Sequence, residues 1–73
     1  MQDNSINTYK DAAEMIKKRR SELGITQKQL ADFCNLSHNG ISKLEGGDTD
    51  IKLSTLLKMS TILGFKITLE MDE

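Results

Sequence analysis

The sequence predicts a mainly α-helical single domain of four to five short helices, followed by one C-terminal β-strand. Apolar residues recur with helical spacing between residues 8 and 64, and glycine or asparagine separates the helical stretches. Residues 65–71 instead alternate strictly between apolar and polar types, which is typical of a strand. We therefore divide the 73-residue chain into a flexible tail at 1–7, a helical domain at 8–64 and a strand at 65–71.

The first helix is predicted to begin after Thr8 and to run to about Glu22. Thr8 is suited to the N-cap because its hydroxyl can accept a hydrogen bond from a free backbone N–H, and Asp11 follows as in a capping box. Gly24 is suited to the left-handed conformation that often follows a helix C-terminus. The apolar residues expected on the inner face are Tyr9, Ala12, Ala13, Ile16 and Leu23.

Two shorter helices are predicted at about 27–34 and 38–44, with a tight turn at Asn35. Thr26 and Ser37 immediately precede these helices and are suited to their N-caps. Asparagine tolerates the left-handed conformation of a tight turn better than most residues. The apolar residues that share the inner faces are Leu30, Ala31, Cys34, Ile41 and Leu44, with Leu36 expected to fill the gap between the two helices.

A fourth helix at about 53–63 and the strand complete the predicted fold. A turn-rich loop at 46–50 precedes this helix, and Gly64 ends it. The residues with inner-face spacing are Leu53, Leu56, Leu57, Met59, Ser60 and Leu63.

The single strand at 65–71 would leave its backbone groups unpaired, so a second copy of the chain is expected to supply the same strand. The apolar face of the paired strands would comprise Phe65, Ile67, Leu69 and Met71. The alternative is a tail that packs as an extended segment on its own domain.

The helix at 38–44 leaves a row of hydrogen-bonding side chains exposed, and such a row is suited to base edges in the major groove of DNA. The row comprises His38, Asn39, Ser42 and Lys43. Gln27 can reach a phosphate or brace the first reading residue, and Ser37 and Ser42 are suited to the DNA backbone. Weaker phosphate contacts are assigned to Thr26, Lys28 and Arg19. For His38, the alternative is an ordinary surface residue.

Residues 26–45 resemble the helix-turn-helix of the phage-repressor-like family, known as the Cro/C1 or XRE type. The matching residues are Thr26, Gln27, Leu30, Ala31, Leu36, Ser37, Ile41, Ser42, Leu44 and Glu45, with Asn35 in place of the usual turn glycine. Two such DNA-reading helices in the expected dimer imply a palindromic site in double-stranded DNA, with half-sites roughly 34–36 Å apart. The resemblance itself places reading residues at Gln27, His38, Asn39 and Lys43. It also implies that an Arg20–Glu45 ion pair holds the first helix to the third.

The lone terminal strand and the stretch at 53–59 resemble the HipB-like antitoxins of HipA-type kinase modules. That resemblance implies a homodimeric repressor that regulates its own operon and binds a HipA-like serine/threonine kinase toxin. A stand-alone or prophage regulator without a toxin partner would use the same DNA-reading helix, and it is the alternative. The polar recognition face disfavours a third possibility, a protein-interaction adaptor that has lost DNA binding.

Charge is distributed unevenly along the chain, although the net charge is only −1. Residues 10–43 hold seven Lys and Arg against four Asp and Glu, whereas residues 44–73 hold three against six. This asymmetry would orient the protein on a polyanion. For Lys17 and Lys18, a solvated helix face is an equally good interpretation.

Composition also argues against catalysis and membrane insertion. With one cysteine and one histidine, we expect no disulfide, no metal site and no cofactor. The sequence holds neither a Ser-His-acid set nor a phosphate-binding glycine loop, so we do not expect an enzyme. No signal peptide or membrane-spanning apolar run is evident, and we expect a cytoplasmic bacterial protein that associates with the nucleoid through DNA.

Overall fold

The computed structural model describes residues 8–69 and 71, and within this part of the chain it contains four α-helices and no strand. The helices are α1 (Tyr9–Glu22), α2 (Gln27–Cys34), α3 (His38–Glu45) and α4 (Leu53–Leu63). Their bounds agree with the predicted ones to within one residue, so the mainly α fold with a central helix-turn-helix is confirmed. None of these helices has the length and hydropathy that a membrane span requires.

The hydrophobic core lies where all four helices meet. The largest side chains that are almost fully buried there are Ile16, Leu30, Ile41, Met59, Leu63 and Cys34. Burial raises the pKa of the Cys34 thiol above its ordinary value, an effect that the Lys58 ammonium partly opposes. Cys34 thus serves as a small apolar core residue, as expected. Because α2 and α3 bury their apolar faces in one cluster, the opposite face of α3 is held in a fixed direction.

Several predicted core positions are wrong. Leu53 and Leu57 are 63% and 49% exposed, and Tyr9, Leu23 and Leu36 are also exposed. The exposure of Leu53 and Leu57 has a geometric reason. α4 packs mainly against α1 and α2, and none of the described helices covers its outer side. Helical spacing indicates an apolar stripe, but it does not indicate how much of that stripe the neighbouring helices can cover.

The turn between α2 and α3 consists of Asn35, Leu36 and Ser37. Asn35 has φ 59° and ψ 39°, which is the left-handed conformation predicted for it. Thr26 and Gln29 form a reciprocal capping box at the start of α2, and the Ser37 hydroxyl accepts a hydrogen bond from the Gly40 N–H at 2.9 Å. Local sequence therefore fixes both the beginning of each helix and the short path between them.

Residues 65–69 and 71 form neither a helix nor a strand in the single chain. A strand needs a hydrogen-bonding partner, and the described part of the chain offers no second strand. Phe65 packs against the core, but Ile67, Leu69 and Met71 are 37%, 90% and 86% exposed. Of the four apolar residues of the tail, only Phe65 therefore packs on the chain's own domain. The pairing of two tails stays a prediction. The predicted flexible tail at 1–7 lies outside the described residues.

The left-handed turn residue generates a stability prediction. We expect Asn35→Ala to lower the free energy of unfolding by about 1 kcal/mol, because alanine adopts the left-handed conformation less readily. Asn35→Gly should preserve or raise stability, since glycine adopts it without steric cost. Urea unfolding followed by circular dichroism measures both variants. Equal stability of the alanine and glycine variants would contradict the role assigned to this turn.

Candidate nucleic-acid interface

The exposed side of α3 carries the four α3 side chains that are predicted to contact DNA. His38, Asn39, Ser42 and Lys43 are exposed, whereas Ile41, Leu44 and Glu45 are buried on the opposite side. The Ser37 hydroxyl precedes this row and caps the helix. The structure therefore brings these five predicted contact residues together at one surface.

A buried ion pair joins α1 to the C-terminal end of α3. Arg20 Nε and Nη2 donate to Glu45 Oε2 and Oε1 at 2.6 and 2.9 Å, and Nη1 donates to the Ile25 carbonyl at 2.7 Å. The Glu45 side chain is 2% exposed and that of Arg20 13%. The two residues that the family resemblance pairs are thus in bidentate contact, which is the geometry in which an arginine–carboxylate pair is strongest.

Gln27, the first residue of α2, extends this ion pair towards the exposed face of α3. Its Nε2 donates to Glu45 Oε1 at 3.1 Å, and its Oε1 lies 3.3 Å from His38 Nε2. The contact with His38 is compatible with the predicted brace to that residue, and the predicted reach to a phosphate stays a prediction. Sequence reasoning missed the bond to Glu45, because contacts between residues 18 apart leave no periodic signal in the sequence.

The three weaker phosphate assignments differ in their surroundings. Lys28 is exposed in the first turn of α2. Thr26 Oγ1 accepts from the Gln29 N–H at 3.1 Å, so its oxygen is engaged in the helix cap. Arg19 is partly buried, and its Nε donates to the Leu63 carbonyl at 2.8 Å. Arg19 therefore caps the C-terminus of α4, an interaction that sequence reasoning also missed.

Comparison with known proteins identifies relatives of the chain. The family model described as helix-turn-helix matches residues 16–69. The SPbeta prophage-derived uncharacterized HTH-type transcriptional regulator YonR of Bacillus subtilis (strain 168) is 41% identical over 51 residues, which cover 70% of this chain and 47% of that protein. The type II methyltransferase M1.ScrFI of Lactococcus lactis subsp. cremoris is 37% identical over 68 residues, which cover 85% of this chain but 18% of that enzyme. The chain thus spans about half or less of the length of these curated relatives.

HipB provides a structural match over the whole chain. In the HipA–HipB–O2–O3 complex, the matched chain has a TM-score of 0.78 and 26% sequence identity, with 100% of both chains covered. HipB in complex with an O4 20-mer gives the same values. These matches agree with the helix-turn-helix geometry of α2 and α3. The chain belongs to the Cro/C1-type (XRE) helix-turn-helix family, and it is HipB-like in structure.

Proposed function

We propose that the protein is a sequence-specific, DNA-binding transcriptional repressor that acts as a homodimer on a palindromic operator. The observation that carries this proposal is the exposed polar face of α3, backed by a buried apolar face and by the Arg20–Glu45 ion pair. The similarity to HipB, which has been solved with operator DNA, supports the same function.

The reading chemistry follows from the side chains on that face. Asn39 is suited to bridge N6 and N7 of adenine, and Lys43 can donate to O6 or N7 of guanine. Ser37 and Ser42 are suited to the sugar-phosphate backbone. Lys28 lies at the start of α2, where the helix dipole also favours a phosphate. Gly40, between the reading residues, would allow close approach to the groove.

The loop after α3 limits the number of phosphate contacts. Asp48 and Asp50 are both exposed there, and carboxylates repel phosphate. Arg19 already donates from Nε to the Leu63 carbonyl, so its phosphate contact would have to come from the Nη groups, and it stays a prediction. Fewer cationic contacts release fewer counterions, so the affinity should depend only moderately on salt concentration.

Two substitutions should separate base reading from phosphate binding. Binding sites are first selected from fragmented host DNA on the immobilised protein and sequenced. Fluorescence anisotropy then compares the selected duplex with a scrambled one. Asn39→Ala should weaken binding to the selected duplex by about 1–3 kcal/mol and leave binding to the scrambled duplex unchanged. Lys28→Ala should weaken binding to both duplexes similarly. It should also reduce, by about 1, the steepness with which the logarithm of the binding constant falls with the logarithm of salt concentration.

Lys58→Ala is the matched control, because Lys58 is exposed on α4, outside the two helices of the proposed interface, and carries the same charge. It should leave both affinities nearly unchanged. Absence of any enriched site, or an equal loss on both duplexes for Asn39→Ala, would contradict the reading role.

The dimer is proposed from the apolar side chains that a single chain leaves uncovered. Leu69 and Met71 are almost fully exposed in the tail, and Leu53 and Leu57 are exposed on α4. Pairing of two tails at 65–71 would satisfy their backbone groups and bury their alternating apolar side chains together. The match to HipB covers 100% of both chains, so it includes the segment that carries this tail.

A substitution in the tail tests the dimer without touching the core. Leu69→Glu should convert a dimer to a monomer in light scattering, because each interface would bury two carboxylates without partners. The helical signal in its circular dichroism spectrum should stay unchanged, since Leu69 is 90% exposed and lies outside the helices. Thr68→Glu is the control on the opposite face of the predicted strand and should remain dimeric. A monomeric wild-type protein, or a dimeric Leu69→Glu variant, would rule out this interface.

The more specific proposal is that the protein is the HipB-like antitoxin of a type II toxin–antitoxin module. It would regulate its own operon and bind a HipA-like serine/threonine kinase toxin. Support comes from the match to HipB along its whole length in a complex that includes HipA. The alternative is a stand-alone or prophage regulator without a toxin partner. The similarity to the prophage-derived regulator YonR favours that alternative.

Capture from the native cell distinguishes the two regulators. We expect the tagged protein to retain its own promoter DNA together with a stoichiometric kinase-like protein. Leu69→Glu and Asn39→Ala serve as controls, because loss of DNA by either variant shows that capture depends on the proposed interfaces. Retention of DNA with no stoichiometric protein would favour the stand-alone regulator.

A further inference from the structure

The proposed reading face is the exposed side of α3, with His38, Asn39, Ser42 and Lys43. The hydrogen bonds that lead to it from Glu45 have a fixed direction. The Glu45 carboxylate, paired with the Arg20 guanidinium, can only accept hydrogen bonds. Gln27 must therefore present its amide NH₂ group to Glu45, and the 3.1 Å contact joins these atoms. The orientation of the Gln27 amide, which is otherwise ambiguous, follows from its partner's chemistry.

The orientation of Gln27 in turn decides which nitrogen of His38 carries hydrogen. Gln27 Oε1 lies 3.3 Å from His38 Nε2, and an amide oxygen can only accept. His38 Nε2 must then be the donor, so in the neutral imidazole Nδ1 keeps its lone pair. Within the described part of the chain, Nδ1 has no hydrogen-bond partner, and His38 is exposed at the start of α3.

We infer that this hydrogen-bond chain makes His38 a specificity-determining residue that presents Nδ1 to DNA as an acceptor. The groups it would select are the exocyclic amino groups of adenine (N6) and cytosine (N4), which are the donors in the major groove. Guanine O6 and N7 and thymine O4 are acceptors and would meet the Nδ1 lone pair unfavourably. Gln27 acts as a positioning residue. The inference rests on the proposed DNA binding and extends it to the base chemistry.

Nitrogen NMR of the free protein tests the donor direction without DNA. The chain has a single histidine, so its ring signals are unambiguous. Long-range ¹H–¹⁵N spectra, recorded where the ring is neutral, distinguish a protonated ring nitrogen from an unprotonated one. We expect only the Nε2–H tautomer in the wild type and a mixture of tautomers in Gln27→Ala. A substantial Nδ1–H population in the wild type would overturn the inference.

Selection from a random duplex library tests the base preference. At one position of each half-site, the wild type should prefer adenine or cytosine by about 3- to 10-fold, the range expected for one hydrogen bond. His38→Ala should abolish this preference at that position, and Gln27→Ala should weaken it. Asn39→Ala is the matched control and should alter a different position.

The outcomes separate this inference from the proposed function. A His38-dependent preference for guanine or thymine would overturn the acceptor role while leaving DNA binding intact. The acceptor role would also be overturned if the sequence of the enriched sites depended on Asn39 but not, at any position, on His38. If no duplex is enriched at all, DNA binding itself fails, and the base-reading role of His38 fails with it.

Discussion

The buried ion pair between Arg20 and Glu45 is the constraint on which the geometry of the proposed reading face depends. Its carboxylate is almost inaccessible to solvent, and a buried charge is tolerated only when it is paired and hydrogen-bonded. Arg20 meets this requirement through two bonds and Gln27 through a third. Because these three residues lie on α1, α2 and α3, satisfying one carboxylate fixes three helices relative to one another. Net stabilisation by such a pair is modest, so its main contribution is a unique arrangement.

The shortness of the helices explains why this constraint matters. α2 and α3 have eight residues each, and isolated helices of that length are marginal in water. Their capping residues define where they begin, but caps do not define the angle between them. That angle comes from the left-handed Asn35, from the shared core around Leu30 and Ile41, and from the carboxylate of Glu45 at the far end of α3. The reading face is therefore positioned from both of its ends.

The sequence predicted the elements better than the contacts between them. Helix bounds followed from local signals such as Thr26, Ser37 and Gly64, since caps act within one turn of the residue that supplies them. The burial of Leu53 and Leu57 was predicted wrongly, because it depends on which side of α4 another helix covers. In the candidate site, the exposed row on α3 could be predicted from spacing. The bonds from Gln27 to Glu45 and from Arg19 to Leu63 could not, because they join residues that only the tertiary fold brings together.

Adjacent arginines on α1 hold the C-terminal ends of α3 and α4. Arg20 holds the C-terminal end of α3, and Arg19 holds the Leu63 carbonyl at the C-terminal end of α4, directly before the tail. If the tails pair as proposed, the two-fold axis lies near the ends of both α4 helices. The position of each reading face relative to that axis would then be set by three helices. Arg19 bonds α1 to the end of α4, and Arg20 bonds α1 to the end of α3. Half-site spacing on DNA would thus be set by the rigid body of the domain, since no flexible linker intervenes between the core and Phe65, which packs against it.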